Sequence, residues 1–449
     1  MTDDLRSCDC FLCADKVHAG FISTRIAGID GVSLEAMKWA RVLENQGIQS
    51  YYFAGELETP QERSYSCEKA HFKNPEIRFI FRNCFSEGRR KRSITKRIHA
   101  LKEELKDELY AFIKKYDIDL LIPQNAITIP LNLPLGLAIT ELVSETGLPV
   151  LAHHHDFFWE RTHFLTNCVW EYLNMAFPPR LPSIHHVVIN SSAANQLGLR
   201  TGASATIIPN VMDFANPPPP PDEFSADVRE AFGVGPDEYF ILQPTRVIKR
   251  KGIEHAIELV SRLGLKAKLI ISHASGDEGY DYQQRVREYS EHLHVDTVFV
   301  SERIDERRGY NANGEKIYTL NDIYPHADLV TYPSNFEGFG NAFLEAIYYR
   351  KPIVVNAYSI YSIDIKPKGF EVIELDGYVD SQAIEQAQTV LTNERYREEM
   401  VAHNYAVASR YYSYNVLNQK LLSVIQSVSP CTATTPKRNI AAISDQNAQ

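Results

Sequence analysis

The chain of 449 residues has only seven cysteines and no surplus of basic side chains, since 47 Lys and Arg stand against 57 Asp and Glu. The formal net charge of -10 repels nucleic-acid phosphates and excludes a general nucleic-acid-binding role. So few cysteines favour reduced thiols over a disulfide framework. Cys8, Cys10 and Cys13 form one cluster that has no fourth ligand at zinc-like spacing, so we favour incidental thiols over a metal site.

Long hydrophobic runs are also scarce. The longest stretch without a charged residue, 120–140, contains three prolines and several amides, so we interpret it as strand, loop and helix rather than a membrane span. The first residues are acidic and lack the apolar core of a secretory signal. We therefore expect a soluble, cytoplasmic protein, with its oligomeric state left open and a homo-oligomer among the options.

Strand and helix patterns alternate along the chain, which is typical of parallel sheets covered by helices on both faces. Before a run of five prolines the predicted strands are 17–23, 50–54, 77–81, 118–122, 150–153, 187–189 and 205–208. After the prolines they are 239–243, 267–272, 298–301, 329–332 and 353–356. The length and the restarted pattern predict an α/β fold of two doubly wound, Rossmann-like domains that face each other across a cleft.

The proline run at 217–221 is predicted to be an extended linker, because it cannot continue a helix or an inner strand. It separates an N-terminal, acceptor-side domain at 1–216 from a C-terminal, nucleotide-sugar-binding domain at 222–405. A last helix at 406–429 and a flexible polar tail at 430–449 complete the prediction.

The string SNFEGFGNAFLEA at 334–346 follows a predicted strand and opens a predicted helix. Such a glycine-flanked loop exposes backbone N–H groups and the positive end of a helix dipole to an anion or a sugar hydroxyl. Two glutamates eight residues apart, Glu337 and Glu345, need not share one site. The string resembles the donor-site motif of family 4 glycosyltransferases, which are retaining enzymes with the GT-B fold.

The resemblance implies that Glu337 contacts the transferred sugar and that Glu345 bonds the ribose hydroxyls. It also places four backbone N–H groups beside the sugar and phosphates, those of Gly338, Phe339, Gly340 and Asn341. The alternative is a plain helix start, where the dipole favours acidic residues.

Two cations, Arg246 and Lys251, follow the predicted strand 239–243 and lie at the same sheet edge as the glycine loop. A departing nucleoside diphosphate needs such neutralisation. The pair is similar to the Arg and Lys-Gly of the same family, which grip the donor diphosphate. We assign the neighbouring Lys249 and Arg250 to the solvated rim.

Three consecutive histidines, His153 to His155, end another predicted strand. Neighbouring residues of a strand point to opposite faces, so at most the first and third histidines converge, which weakens a metal interpretation. The resemblance places one histidine of this loop beside the donor sugar, either His155 or His154. We assign His155 to catalysis, and the acceptor-binding candidates here are His154, Asp156 and Arg161.

The loop after the first strand contains G-x-x-G rather than G-x-G-x-x-G, which argues against a nicotinamide dinucleotide site. It resembles the glycine loop that borders the diphosphate and the acceptor in family 4 enzymes. The resemblance assigns Gly31 to the donor, and Arg25 and Asp30 suit a charged or polyhydroxy acceptor. The alternative is a turn in which Ser33 caps the following helix.

Weaker signals remain. By resemblance, the nucleobase would lie near Arg303 and Ile304 and near the segment 320–326. Asp117 and Asp119 spell D-x-D, a metal motif of the other glycosyltransferase fold, but an apolar run follows and a metal site there is disfavoured. The basic run at 88–97 is interpreted as a solvated or acceptor-facing patch in preference to a membrane-docking surface.

Together these features predict a retaining hexosyltransferase that takes a glucose- or mannose-type sugar from a UDP- or GDP-linked donor. The expected acceptor is small, soluble and polar, and no metal or cofactor is required, because the arginine and lysine replace the charge of an ion. The alternatives are a GT-B sugar-nucleotide epimerase, a membrane-associated transferase with a lipid or polysaccharide acceptor, and a non-enzymic nucleotide-sugar-binding protein.

Overall fold

A computed structural model describes residues 17–28, 30–86, 88–275 and 281–428. The cysteines at 8, 10 and 13 and the predicted tail at 430–449 lie outside the described residues. The chain divides into two compact units, one formed by residues 1–209 with 417–449 and the other by residues 210–416. Each unit contains one parallel sheet with helices, so the predicted α/β class with two parallel-sheet domains is confirmed.

The first unit contains a sheet of seven parallel strands in the order β3-β2-β1-β4-β5-β6-β7. The strands are β1 Val17–Ile22, β2 Ile48–Ala54, β3 Ser64–Ser66, β4 Leu120–Pro123, β5 Val150–His154, β6 Ile184–Val188 and β7 Ala205–Ile207. The central strands β4 and β5 are buried along their whole length, as expected when helices cover both faces of a sheet.

Seven helices belong to this unit: α1 Gly31–Glu44, α2 Pro75–Cys84, α3 Arg92–Tyr116, α4 Leu133–Thr146, α5 Thr162–Leu165, α6 Trp170–Ala176 and α7 Ser191–Thr201. The helix α3 buries a stripe at helical spacing against the core, formed by Ile94, Ile98, Leu101, Leu105, Leu109 and Phe112. The basic run at 88–97 thus leads into a helix whose apolar face is buried by its own unit.

The second unit contains six parallel strands in the order β10-β9-β8-β13-β14-β15, and a separate antiparallel hairpin of β11 and β12. The strands are β8 Tyr239–Gln243, β9 Ala267–Ile271, β10 Thr297–Phe299, β11 Gly309–Tyr310, β12 Lys316–Ile317, β13 Leu329–Tyr332, β14 Ile353–Asn356 and β15 Ile373–Leu375. The helices are α8 Val228–Ala231, α9 Ile253–Arg262, α10 Asp281–His292, α11 Leu320–Ile323, α12 Asn341–Tyr348, α13 Ser381–Thr392, α14 Glu394–Tyr411 and α15 Tyr414–Val428.

One predicted strand is wrong. Residues 77–81 lie inside helix α2, which Asn74 caps by accepting a hydrogen bond from the backbone N–H of Glu76 at 3.0 Å. The buried side chains are Ile77, Ile80 and Cys84, which recur at helical spacing, whereas Phe79 is 44% exposed. The side chains of Ile77, Phe79 and Phe81, which would share one face of a strand, are therefore not buried together.

The boundary between the two units falls between Pro209 and Asn210, ahead of the proline run predicted as the linker. The segment after the prolines is hydrogen-bonded to the rest of the second unit. The carboxylate of Asp222 accepts from Arg308 and from the backbone N–H of Ser225. Residues from Leu417 onward belong to the first unit, so α15 spans the division. Among the described residues, no helix is long and apolar enough to cross a membrane.

Candidate functional site

The loop between β13 and α12 in the second unit adopts a conformation that only glycine tolerates at one position. Gly340 precedes α12 with φ +119, and a Cβ atom there would lie 2.5 Å from the hydroxyl oxygen of Tyr358. That hydroxyl donates to the carbonyl oxygen of Phe339 at 2.8 Å, which fixes the loop. The helix start has no side-chain cap on its N–H groups, as expected of an anion-binding loop.

A buried ion cluster lies beside this loop, at the edge of the sheet where the parallel strands end. Glu337, which is 8% exposed, accepts from the ammonium of Lys251 and from Arg250 Nη1 at 2.8 Å. Arg250 also donates to the carbonyl oxygen of Phe336 at 2.9 Å, so it fastens the glycine loop to the loop after β8. The sequence assignment of Arg250 to the solvated rim is incomplete, because its side chain is 38% exposed and its guanidinium also pairs with Glu337.

The charges of this cluster do not cancel. Burial by itself would raise the pKa of Glu337, but the positive charges of Lys251 and Arg250 outweigh it and hold the pKa below its ordinary value. Burial lowers the pKa of Lys251, and the charges of Arg250 and Arg246 lower it further. Arg246 is exposed and its charge acts on Lys251, so Lys251, Arg250 and Arg246 bring three positive charges to a cluster in which Glu337 is the paired carboxylate. The surplus of positive charge favours an anionic ligand.

Glu345 lies on α12, eight residues after Glu337, and belongs to a different set of contacts. Its Oε2 accepts from the hydroxyl of Tyr324 at 2.9 Å, and the Tyr324 ring is fully buried and stacked on Tyr349 with centroids 4.8 Å apart. Burial and the neighbouring carboxylate raise the pKa of Tyr324 well above its ordinary value, so the phenol remains a donor. The two predicted carboxylates therefore occupy separate environments.

Two predicted donor-binding residues in this unit contact the β11–β12 hairpin. Arg303 donates from Nε to the carbonyl oxygen of Lys316 at 2.6 Å and pairs with Glu315 at 3.3 Å. Ile304 forms a parallel bridge with Tyr318. The backbone of Arg303 is engaged as well, because its N–H donates to Val300 at 2.9 Å and its carbonyl oxygen accepts from Tyr318 at 2.8 Å, and the contact with a nucleobase stays a prediction.

In the first unit, the two last residues of β5, His153 and His154, and the next residue, His155, are all buried but make different contacts. Both ring nitrogens of His154 are bonded to protein groups, one to Thr128 Oγ1 and the other to His186 Nδ1 at 2.9 Å. His153 stacks on Trp39 with ring centroids 4.1 Å apart. Neither ring nitrogen of His154 is therefore available to a ligand, which argues against the predicted contact of this residue with the acceptor.

His155 is fixed by the end of β4. Its backbone N–H donates to Asn125 Oδ1 at 2.8 Å, and its Nε2 donates to Gln124 Oε1 at 3.3 Å, an oxygen that also accepts from His153 Nδ1 at 2.8 Å. Burial lowers the pKa of His155 to about 4, although the carboxylates of Asp156 and Asp30 oppose that shift. The imidazole is therefore neutral at neutral pH.

Two arginine–aspartate pairs accompany His155. Arg161 pairs with Asp156, and Arg25 pairs with Asp30 at 2.8 Å. Asp30 is also the N-cap of α1, because its Oδ1 accepts from the backbone N–H groups of Val32 and Ser33. The cap is thus Asp30 rather than Ser33, and Gly31 is the first residue of the helix.

The predicted D-x-D pair is engaged within the fold. Asp117 ends α3 in a left-handed conformation with φ 49, and Asp119 Oδ2 accepts from the backbone N–H of His18 at 2.9 Å. Within the described ranges, no group of three or more His, Cys, Asp or Glu side chains is placed to hold a metal ion.

Comparisons with known proteins identify the family of this chain. The family model "Glycosyl transferases group 1" matches residues 225–406. Mannosylglucosylglycerate synthase of Thermotoga maritima is 32% identical over 427 residues, which cover 88% of this chain and 96% of that protein. The chain belongs to the group 1 glycosyltransferases.

A second relative supports the assignment to the group 1 glycosyltransferases. Mannosylglucosylglycerate synthase of Petrotoga mobilis is 31% identical, over 80% of this chain and 86% of that protein. Solved structures show the shared fold at low identity. A glycosyltransferase from Rickettsia africae has a TM-score of 0.65 at 15% identity, over 92% of this chain and 99% of that chain. The Anabaena HepE structure with UDP and glucose has a TM-score of 0.60 at 14% identity, over 92% of this chain and 100% of that chain.

Sequence reasoning missed the contacts of three residues of this group 1 glycosyltransferase. Arg250 pairs with Glu337, Tyr324 holds Glu345, and His273 lies beside Arg246 and Lys251, whose charges act on it. Only His273 had a usable signal, since a polar residue directly after a predicted strand lies at the ligand-binding edge of a parallel sheet. The other two are set by tertiary packing.

Proposed function

We propose that this protein transfers a hexosyl group from a UDP- or GDP-linked donor to a hydroxyl group of a small polar acceptor. The observation that carries the proposal is the surplus of positive charge in this cluster, where Lys251 and Arg250 pair with Glu337 and the charge of the exposed Arg246 acts on Lys251. A nucleoside diphosphate would supply the missing negative charge. The buried carboxylate would remain to orient the sugar.

The proposed mechanism needs no enzymic nucleophile. Arg246, Lys251 and the backbone N–H groups of 338–341 stabilise the leaving diphosphate while the acceptor hydroxyl attacks the same face of the sugar. Because the new bond forms on the face from which the diphosphate departs, the anomeric configuration is retained, and the hydroxyl proton passes to an oxygen of the departing phosphate. Because these cations supply the charge that a metal ion would otherwise provide, we propose that the reaction is metal-independent.

The relatives suggest the class of acceptor. Their name, mannosylglucosylglycerate synthase, combines mannosyl, glucosyl and glycerate groups. We propose a mannose-type donor and a glycerate or glycosylated glycerate acceptor for this chain, acting in the cytoplasm. Arg25 and Arg161 suit the carboxylate of such an acceptor, since each guanidinium offers further N–H donors beside its aspartate.

Product formation tests the proposal. The protein is incubated with UDP-glucose, GDP-glucose or GDP-mannose, each with glycerate, with glucosylglycerate or without an acceptor, and nucleotide release and product mass are measured. We expect acceptor-dependent release and a product heavier by one hexose, with retained configuration by NMR and undiminished yield in EDTA. Equal release without an acceptor would contradict transfer, and no release from any donor would overturn the proposal.

Two variants at the donor site and one control variant distinguish the loss of a donor contact from a general loss of structure. Arg246→Ala and Glu345→Ala are expected to abolish most turnover. Lys266→Ala is the matched control, because Lys266 has a side chain that is 69% exposed and a loose pair with Glu238 at 3.5 Å. If all three variants kept wild-type turnover, the donor site would lie elsewhere.

A further inference from the structure

His273 is held against the loop that carries Arg246. Beyond the paired ends of β8 and β9, the backbone N–H of Ser272 donates to the carbonyl oxygen of Gln243 at 3.3 Å, and Val247 N–H donates to the carbonyl oxygen of Ala274 at 3.2 Å. His273 lies between these two contacts. Its position is therefore fixed by the backbone at the same edge of the sheet as Arg246.

The orientation of the His273 ring is set by its neighbour. Nδ1 lies 2.6 Å from Ser272 Oγ, whereas the same hydroxyl lies 3.4 Å from the carbonyl oxygen of Gln243. The hydroxyl hydrogen of Ser272 can point to Nδ1 or to the carbonyl oxygen of Gln243. In the first arrangement Nδ1 accepts it and Nε2 carries the ring hydrogen, and we take this tautomer for His273. Within the part of the chain that the structure describes, Nε2 has no hydrogen-bond partner.

The imidazole is neutral next to two cations. Burial and the charges of Arg246 and Lys251 lower the pKa of His273 to about 4. A neutral imidazole adds an N–H donor to this cluster without adding a third repelling charge. The two cations and the N–H group can together donate to several oxygens of one anion. A diphosphate offers more such oxygens than a single carboxylate does, so it suits this set of donors better.

We propose that His273 Nε2–H donates a hydrogen bond to a phosphate oxygen of the donor's diphosphate, alongside Arg246 and Lys251. The assignment rests on the proposed function, because it takes the nucleoside diphosphate as the ligand of this edge. It adds to that function a catalytic residue that contacts the leaving group through a neutral donor.

Calorimetric titration of the full chain with UDP and with GDP tests the contact. We expect His273→Ala to weaken binding of the preferred nucleoside diphosphate about tenfold, the effect of losing one hydrogen bond to a charged group. The affinity of His273→Ala for the corresponding nucleoside, which lacks phosphates, should equal that of wild type. His273→Gln, whose amide nitrogen reaches the position of Nε2, should restore more affinity than His273→Asn.

The control variant is His292→Ala, because His292 is exposed at the end of α10. If wild type binds a nucleoside diphosphate and His273→Ala binds it equally well, the contact is wrong while the proposed function stands. An equal loss for diphosphate and nucleoside would also overturn the contact, since it would show a general disturbance of the site. If wild type binds neither UDP nor GDP, the proposed function fails together with the contact.

Discussion

Tyr324 donates its hydroxyl hydrogen to Glu345 at 2.9 Å from a ring that is fully buried. The stack with Tyr349, whose plane is within 4° of parallel, prevents the phenol from following the carboxylate if that carboxylate moves. A glutamate aimed by a rigid partner is suited to recognise a pair of neighbouring hydroxyls. The relationship thus gives a physical reason why Glu345 can be oriented before any ligand arrives.

Tyr324→Phe should weaken binding of a nucleoside diphosphate about fivefold, since it removes one hydrogen bond to a charged group and keeps the stacked ring. Calorimetry with a ribonucleoside diphosphate and with its 2′,3′-dideoxy analogue measures the effect. The variant should bind the dideoxy analogue as well as wild type does, because Glu345 then has no ribose hydroxyls to contact. A fivefold loss for both ligands would contradict a role for Glu345 at the ribose.

Much of the fold was accessible from the sequence because burial in a parallel sheet leaves a periodic pattern. The strands β8, β13 and β14 have their predicted bounds, and the glycine string does lie between a strand and a helix. Helix α2 was missed because Phe79 and Phe81 mimic strand alternation, and only the tertiary structure shows which aromatic side chain is exposed.

The partners of the site residues were less accessible. Arg250 and Lys251 are adjacent cations, and the sequence cannot show that both face Glu337 about 86 residues later. In the same way, Asp30 resembles a ligand-binding residue until the N–H groups of Val32 and Ser33 are seen to occupy its carboxylate. Local motifs predict the edge of a sheet on which a residue lies, whereas its contacts depend on packing between distant segments.

Gly340→Ala should destabilise the protein by about 3 kcal/mol, because it combines backbone strain at φ +119 with a Cβ atom 2.5 Å from the Tyr358 hydroxyl. Gly369→Ala is the matched control, since Gly369 has φ +90 and no atom within 4 Å of the added Cβ. The control should lose only about 1 kcal/mol. Chemical denaturation measures both, and equal losses would show that the crowding by Tyr358 is relieved at no cost.

Glu337→Gln should cost about 3 kcal/mol at neutral pH, because it leaves Lys251 buried without its counter-charge. The folded-state pKa of Glu337 lies below its ordinary value of 4.5, so the stabilisation is present above that value and is lost as the pH falls through the folded-state pKa. The stability difference between wild type and variant should therefore shrink below about pH 4.5.

Denaturation at a series of pH values measures this difference. Glu258→Gln provides the control, because Glu258 forms a partly exposed pair with Arg262 at 2.9 Å and should contribute less than about 0.5 kcal/mol. A difference between wild type and Glu337→Gln that stayed constant down to pH 3 would show that the ionised carboxylate is not what stabilises the cluster.

Variants of Asp30 can distinguish a structural role of this residue from a role in binding the acceptor. Its Oδ1 accepts from two N–H groups at the start of α1, and its Oδ2 accepts from Arg25 at 2.8 Å and from the Ser33 hydroxyl at 2.8 Å. Asp30→Ala should therefore cost about 1–2 kcal/mol of stability through the lost cap. Asp30→Asn keeps a capping oxygen and loses only a partly exposed ion pair, so it should cost less than about 1 kcal/mol.

The acceptor KM of Asp30→Asn then decides between the two roles. Because the chain itself occupies both carboxylate oxygens, we expect the KM of this variant to stay close to that of wild type. Arg161→Lys, in which a point charge replaces the planar fork, should raise the KM for an anionic acceptor severalfold. If Asp30→Asn raised the acceptor KM as much as Arg161→Lys at unchanged stability, Asp30 would contact the acceptor directly, as its sequence position suggested, and capping α1 would be a secondary role.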